Sequence, residues 1–323
     1  MSILITGAAG FIGQELTLAL LSADADARLL ITDVVEPSVD HIPSSQHARV
    51  TSTKLDLTSP SLIDIETLLK GTRLSAAYLL HGIMSSGAEA NLAAGYAVNL
   101  HSFLTLASAL SITHPGLVTV FPSSLAVYGP AVAGEVNTEL TTPLPQSSYG
   151  TQKLMVEALL NDYSRRGLLD ARVCRLPTVL VRPGRPTAAA SSFASGIVRE
   201  SLKGVRNVLP VAKELEMWVC SPRTVVRNLV HAKSVPHYIF GLSRVVNLPG
   251  RTVTVAQILD AVQAVGGTEA RECVVEERDA VIENIVESWP ARFDTSQARD
   301  LGFVDDVSLM ETVQVFADGL RKH

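Results

Sequence analysis

Thr6-Gly7-Ala8-Ala9-Gly10-Phe11-Ile12-Gly13 is the stretch on which the fold turns. It follows a short apolar run, Ser2–Thr6, and opens an amphipathic segment, Gly10–Ser22. The spacing is G-x-x-G-x-x-G, a variant of the dinucleotide fingerprint. Glycines lack Cβ, so the backbone turns tightly and its N–H groups can approach a pyrophosphate. The helix that starts near Gly10 points its positive end at the same phosphates. Gly13 lets that helix lie close to the strand. Gly7, Gly10, Phe11, Ile12 and Gly13 are therefore the expected phosphate cradle. Three glycines alone also suit a helix-capping loop without a ligand, so the surroundings have to decide.

Working outward, Asp33 ends the second apolar run, Arg28–Asp33, where a carboxylate can accept from both ribose hydroxyls of a dinucleotide. The next residues, Val34, Val35 and Glu36, are not basic, so a 2′-phosphate would be repelled and NAD is expected over NADP. The third run, Val50–Asp56, ends at Asp56-Leu57. There a carboxylate either accepts from the adenine amino group or closes a turn before Thr58, and the residues leave both open. The fourth run, Ala76–His81, leads into Gly82 and Ile83, whose backbone is expected beside the nicotinamide ribose. His81 itself reads as a satisfied strand-end histidine without chemistry. Two further runs, Leu117–Pro122 and Ala171–Leu176, complete the series. Helices are expected between them at Ser61–Lys70 (Ser59 as N-cap, Pro60 first), Ala90–Ser111 and Tyr149–Arg166. Strands apolar on both faces and alternating with helices indicate an α/β, Rossmann-type, doubly wound parallel sheet.

This pattern spans residues 1–176. A second strand-helix pair within 244–268 is expected to return to the same domain. Residues 177–243 and 269–323 form a smaller, discontinuous substrate-binding region. Its Arg182–Ser195 stretch, rich in Pro, Gly, Ala and Ser, reads as a loop that lines something.

The composition agrees with an enzyme of this kind. Of 323 residues, 47% are apolar and 18% charged, enough for a large core and far from a disordered chain. The net charge of −5, without a basic face, argues against nucleic acid as partner. No apolar run is long enough to span a bilayer and no secretory leader is visible, so a cytoplasmic protein is expected. Cys174, Cys220 and Cys273 are odd in number and far apart, which suits reduced thiols and no metal site.

The chemistry-bearing residues lie downstream. Tyr149-Gly150-Thr151-Gln152-Lys153 is Y-x-x-x-K, which on a helix puts a phenol and an ammonium on one face. A free tyrosine titrates near 10, and a neighbouring cation favours its phenolate. Such a group can take the proton of a substrate hydroxyl as hydride leaves the same carbon. Upstream, the fifth strand delivers Ser123 and Ser124 to its C-terminal end, where open α/β sheets bind ligands. Ser124 is placed to bond the reacting oxygen, and one of the two serines can also cap the following turn.

Together the T-G-x-x-G-x-x-G loop, Asp33, the run Ser123-Ser124-Leu125-Ala126-Val127-Tyr128-Gly129 and Y-x-x-x-K resemble the extended short-chain dehydrogenase/reductase family, also called NAD-dependent epimerases/dehydratases. The resemblance covers nearly the whole chain. It implies Tyr149 as acid/base, Lys153 on the nicotinamide ribose and tuning the tyrosine, Ser124 as catalytic helper and Asn99 as supporting asparagine. Where many nucleotide-sugar enzymes of the family carry Y-F-N, this chain has Leu176-Pro177-Thr178, and Pro177 and Thr178 are expected to border the cofactor. The stretches Arg182–Gly196, Trp218–Arg223 and Ser288–Thr295 resemble the D-erythronate dehydrogenase branch. That likeness implies oxidation of the 2-hydroxyl of a small sugar acid, with nucleotide-sugar epimerisation or dehydration as the alternative. A non-catalytic NAD sensor and a reductase of apolar ketones or aldehydes agree less well with the intact Ser124, Tyr149 and Lys153 and the Ser/Arg-rich loop.

A polyhydroxy acid needs short hydroxyl donors and a cation. Ser85, Ser86, Ser191 and Ser192 supply the first. Arg182, Arg185, Arg223 and Arg227 are candidates for the second, with Arg185 and Ser192 taken as substrate ligands. Apolar residues on more than one side of 92–110 and 152–166 (Leu100, Phe103, Leu104, Leu154, Leu159, Tyr163) further suggest a homodimer.

Overall fold

The computed structural model describes residues 1–58, 62–132, 134–182 and 189–321. The strands in chain order are β1 (Ser2–Thr6), β2 (Arg28–Asp33), β3 (Val50–Lys54), β4 (Leu74–Leu79), β5 (Leu117–Ser124), β6 (Leu169–Leu176), β7 (Thr178–Val179), β8 (Asn207–Leu209), β9 (Glu216–Cys220), β10 (Val245–Asn247), β11 (Arg251–Thr254) and β12 (Val274–Glu276). The helices are α1 (Phe11–Ala23), α2 (Leu62–Leu69), α3 (Ser85–Ala90), α4 (Leu92–Tyr96), α5 (Ser102–Thr113), α6 (Ser148–Arg165), α7 (Ser192–Ser201), α8 (Pro222–Ala232), α9 (Val255–Glu272), α10 (Ala280–Glu287), α11 (Ser296–Asp300) and α12 (Leu309–Leu320).

Seven parallel strands make the central sheet in the order β10-β6-β5-β4-β1-β2-β3. The order reverses between β1 and β4, the place where doubly wound sheets open a ligand crevice. Both faces of the sheet are covered. On one side Ile3, Ile5, Leu16 and Leu20 pack with Val225, Leu229 and Phe303. On the other, Leu4, Ala77, Leu79 and Phe121 pack with Ile65, Leu106, Val156 and Leu160. A third cluster joins Ile197, Val198, Leu209, Ile258, Leu259, Val262 and Val313 outside the sheet.

Three details differ from the expected organisation. First, α8 lies inside 177–243 yet packs on α1 against the main sheet. A parallel crossover from β6 to β10 requires a helix on a sheet face, and α8 supplies it. Second, within 244–268 only Val245–Asn247 lies in the main sheet, paired with Val173–Arg175. The following β11 runs antiparallel to β9, and α9 packs on α7 and α12 in the third cluster. The antiparallel turn carries the chain away from the main sheet, so α9 is a correction to the reading that the whole segment returns there. Third, the long helix expected over Ala90–Ser111 is broken. Asn91 ends α3 and caps α4, its side chain accepting from the Ala94 N–H at 3.0 Å. A turn of π-helix over Ala97–His101 then precedes α5. Such turns mark functional sites often enough to direct attention to Asn99 within it. The expected N-cap Ser59 and Pro60 lie outside the described residues.

Candidate active site

The glycine loop forms because no other residue suits two of its positions. Gly7 has φ +68°, and a Cβ there would stand 2.5 Å from the backbone nitrogen of His81. The end of β1 thus touches the end of β4 at the reversal of strand order. At Gly13 a Cβ would stand 2.5 Å from the Gly7 carbonyl oxygen and 2.6 Å from Ala8 Cα. Asp33 pins the loop to β2, one carboxylate oxygen accepting from the Ala9 N–H at 3.0 Å and the other from the Val34 N–H at 2.7 Å.

A cavity of about 630 Å³ opens here, lined by Gly7, Gly10, Phe11, Ile12, Gly13, Asp33, Asp56, Leu57, His81, Gly82, Ile83, Met84 and Arg182 among others. Its glycine cradle, its carboxylate at the end of β2 and its volume suit a dinucleotide. Asp56 lines the cavity and also closes a turn, accepting from the backbone and hydroxyl of Thr58 at 2.9 and 2.7 Å, which hold its carboxyl below the ordinary range. The turn-closing reading is the one these bonds describe.

His81 is 8% exposed and bonded at both nitrogens, Nδ1 to Thr6 Oγ1 at 2.7 Å and Nε2 to Ser102 Oγ at 3.0 Å. Ser102 spends its proton on the Val98 carbonyl at 2.6 Å, which assigns the ring proton to Nε2. The ring stacks on Phe103 at 3.9 Å. Burial, helped by the nearby Lys153 charge, lowers its pKa to about 3, so the imidazole is neutral. It lines the floor of the cavity as a neutral ring.

Tyr149 stands in the first turn of α6, which Ser147 caps by accepting from the Gly150 N–H at 3.2 Å. Gly150 lies against the Ala126 carbonyl with no room for a Cβ, which brings the helix start up to the end of β5. There Ser124 stands beside the Tyr149 phenol, on which it acts, and caps the turn after β5 by accepting from the Ala126 N–H at 3.1 Å. Lys153, one turn on, is 5% exposed. Its ammonium donates to the Pro122 carbonyl at 2.9 Å and stands 4.5 Å from the centre of the Phe121 ring and 5.7 Å from that of Tyr149.

Burial pushes the Tyr149 phenol up to about 12, against the pull of the Arg182 charge and the Ser124 hydrogen bond. Burial lowers Lys153 to about 7, with the Glu157 carboxylate opposing the shift. Arg182 is thus a second cation acting on Tyr149, beside the Lys153 that the spacing suggested. Arg182 reaches the site from a distant segment, and no local pattern announces it.

Glu157 is a second residue not anticipated. It follows Tyr149 and Lys153 at the same helical interval, and that spacing was a readable signal. Arg175 grips it, Nη2 donating at 2.6 Å and Nε at 3.0 Å, and Ser123 donates to it as well. The pair is buried, at 5% and 3% exposure. Arg175 also donates to the Tyr128 hydroxyl at 2.5 Å, so a fully buried polar network underlies the lysine.

The remaining expected residues divide. Asn99 is 1% exposed and clamps the β4–α3 loop: its Oδ1 accepts from the Ile83 N–H at 2.7 Å, and its Nδ2 donates to the Ile83 carbonyl at 3.0 Å and to Gln152 at 2.8 Å. Through these bonds it shapes the cavity wall and ties the loop to α6. Thr178 pairs with Val219 on β9, and Gly250 packs so closely on Pro177 that a Cβ would stand 2.9 Å from its ring. Here β7 leaves the main sheet to join β9, so the chain changes sheets just after Leu176. Ser85 is buried and its hydroxyl accepts from the Ala190 N–H at 2.9 Å. Ser192 begins α7. Arg185 lies outside the described residues. Arg223 and Arg227 line a separate groove between α1, α8 and α12.

Comparison with known proteins accords with this geometry. The model of the NAD dependent epimerase/dehydratase family matches residues 3–241. The chain is 42% identical to the D-erythronate dehydrogenase of Cupriavidus necator over the full length of both chains. It is 40% identical to that of Haemophilus influenzae over 98% of this chain and 99% of the relative. Among solved structures, the nucleoside-diphosphate-sugar epimerase of Agrobacterium tumefaciens superposes with a TM-score of 0.88 at 34% identity, covering 98% of this chain and 94% of that one. With its glycine cradle at the sheet's reversal point and Ser124, Tyr149 and Lys153 beside it, the chain belongs to the NAD dependent epimerase/dehydratase family.

Proposed function

We propose that the protein oxidises the 2-hydroxyl of a small sugar acid, D-erythronate or a close analogue, to the 2-keto acid, with NAD⁺ as oxidant. One observation carries the reading: the Tyr149 phenol, with Ser124 beside it, stands close to two cations, the buried Lys153 and the half-buried Arg182, at the edge of the dinucleotide cavity. The two relatives named as D-erythronate dehydrogenases support the choice of substrate.

Gly7–Gly13 and Asp33 would hold the cofactor, which supplies the hydride acceptor when bound. Ser124 Oγ bonds the substrate oxygen and aligns it with Tyr149. Tyr149 Oη takes the hydroxyl proton while the electron pair of the C2–H bond leaves as hydride, and the C2–O bond becomes a carbonyl. Burial holds the Tyr149 phenol up, near 12, so oxidation gains from alkaline pH and from every cation that favours the phenolate. Ser85 and Ser192 are assigned to the substrate's other hydroxyls. The same reading includes a cytoplasmic homodimer joined through α5 and α6, where Leu104 and Ile112 are 40% and 65% exposed. Gel filtration at twice 34.5 kDa checks it.

The test of function is NADH absorbance on mixing protein, NAD⁺ and four- to six-carbon sugar acids, D-erythronate and L-threonate included. NADH growth with an acid, and little with NADP⁺, is expected. Growth with no acid, together with interconversion of a nucleotide sugar without net NADH, would sink the reading in favour of the activity named for the Agrobacterium relative.

A further inference from the structure

Arg182 is an uncommon residue in its surroundings. It follows Val181, which has φ +63° and is the non-glycine residue with positive φ among the described residues. A β-branched residue in that region is strained, and strain persists only where neighbours impose it. Here α7 imposes it from both sides of the Arg182 peptide. Ser195 Oγ accepts from the Arg182 N–H at 3.2 Å, and Arg199 Nη1 donates to the Arg182 carbonyl at 2.8 Å.

The backbone is thus held while the side chain is left partly unsatisfied. Arg182 lines the cofactor cavity, and its charge acts on Tyr149. Its Nη2 is buried and has no hydrogen-bond partner. Arg199, 1% exposed, carries a second buried Nη2 without a partner. Its Nε bonds Glu200 at 2.6 Å. A buried donor without a partner costs free energy, more so on a cation. An anion with two coplanar oxygens relieves that cost, and guanidinium presents the matching fork.

We propose that Arg182 binds the substrate carboxylate and is the residue that makes the site select a 2-hydroxy acid over a neutral alcohol. The inference rests on the oxidation of a sugar acid proposed above and identifies the group that recognises the acid. The backbone clamp from Ser195 and Arg199 is a positioning device: it fixes where the guanidinium projects beside Tyr149. It also explains why the strained Val181 turn is kept. A relaxed turn would let the fork swing away from the phenol.

The experiment compares wild type, Arg182→Gln and Arg182→Lys on an oxidised acid and on its neutral amide. NAD⁺ binding and the thermal midpoint are followed alongside. Arg182→Gln should raise KM for the acid on the order of 100-fold, as expected for loss of one partner of a buried charge pair. Because the Arg182 charge also acts on Tyr149, kcat should fall on acid and amide alike, so the readout is the acid-to-amide ratio of KM, with NAD⁺ affinity measured separately. Arg182→Lys should recover part of the acid preference, since it keeps the charge without the fork. An unchanged acid-to-amide ratio in a folded Arg182→Gln protein, or in Arg182→Lys if the first variant does not fold, overturns the assignment while leaving the oxidation of acids in place. Oxidation of neutral substrates alone by wild type overturns both.

Discussion

The glycine loop at 7–33 and the Val181–Arg199 segment do comparable work by opposite means. In the first, the backbone is the proposed binding group. Gly7 and Gly13 leave room that any Cβ would fill, and Asp33 holds the loop from 24 residues away. In the second, a side chain is the binding group, and the backbone is clamped to aim it. A backbone site must be written in contiguous sequence, because each residue of the loop has its own steric demand. A side-chain site is assembled from segments that meet only in the fold, and the residues that aim it need not touch the ligand. The contrast predicts that small substitutions damage the first region through shape and the second through charge.

The largest effect tests what the two regions serve. Replacing Tyr149 with Phe removes the proton acceptor and keeps the ring, so kcat should fall about 10²–10⁴-fold. NAD⁺ affinity, measured by fluorescence quenching, should not change. A Tyr149→Phe enzyme with wild-type kcat would remove the phenol from the mechanism.

Next comes the glycine loop itself. In Gly13→Ala the new Cβ meets backbone at 2.5 and 2.6 Å, and backbone cannot rotate aside as a long side chain can. Overpacking of this kind costs about 1–3 kcal/mol, and the loop shift falls on the phosphate cradle. NAD⁺ affinity should drop about 10-fold or more, with kcat at saturating NAD⁺ much less affected. Calorimetric titration showing unchanged affinity would mean that the cradle tolerates what its geometry forbids.

The difference between the regions also explains what could be read before the fold was known. The parallel sheet, the cradle, Asp33 and the Ser124, Tyr149 and Lys153 set each carry a local signature: a spacing, a strand end or a helical interval. Arg182 carries none. It was one of four arginines, and only the fold sets it beside Tyr149 and sends Arg223 and Arg227 to another groove. The surroundings of Pro177 and Thr178 were hidden for a related reason. Sequence shows a strand ending near Leu176 but not that the chain then changes sheets to pair Thr178 with Val219. Asn99 lay on the right helix, yet its partners, Ile83 and Gln152, follow from a π-turn that periodicity does not reveal.

His81 gives a pH test of how tightly the cofactor region is packed. Its pKa falls from an ordinary 6.5 to about 3 in the fold, chiefly through burial. Between those values the unfolded chain binds one proton that the folded chain does not. Stability therefore declines as pH falls from about 6.5 toward 3, by about 1.4 kcal/mol per pH unit for this one group. Urea unfolding at pH 6.5 and 5.0 should show the loss, and His81→Gln should flatten the slope by about one proton. Equal slopes in both proteins would contradict the buried neutral imidazole.

The smallest effect should have the opposite sign, and it separates the two regions most directly. Gly196 lies within α7, on the helix that clamps Arg182, and a Cβ there meets nothing within 4 Å. The substitution is the one made at Gly13, a glycine to alanine within a helix. Here no contact opposes it, and alanine limits the unfolded chain and raises helix propensity. Gly196→Ala should stabilise the protein by about 0.5–1 kcal/mol, seen as a higher urea midpoint with an unchanged slope. Activity on the acid should stay at wild type, because the Ser195 and Arg199 bonds to Arg182 depend on the helix staying helical, which alanine favours. A loss of stability at Gly196 would show that α7 is packed by something beyond the described residues. The division between a region that works through backbone shape and one that works through an aimed charge would then need redrawing.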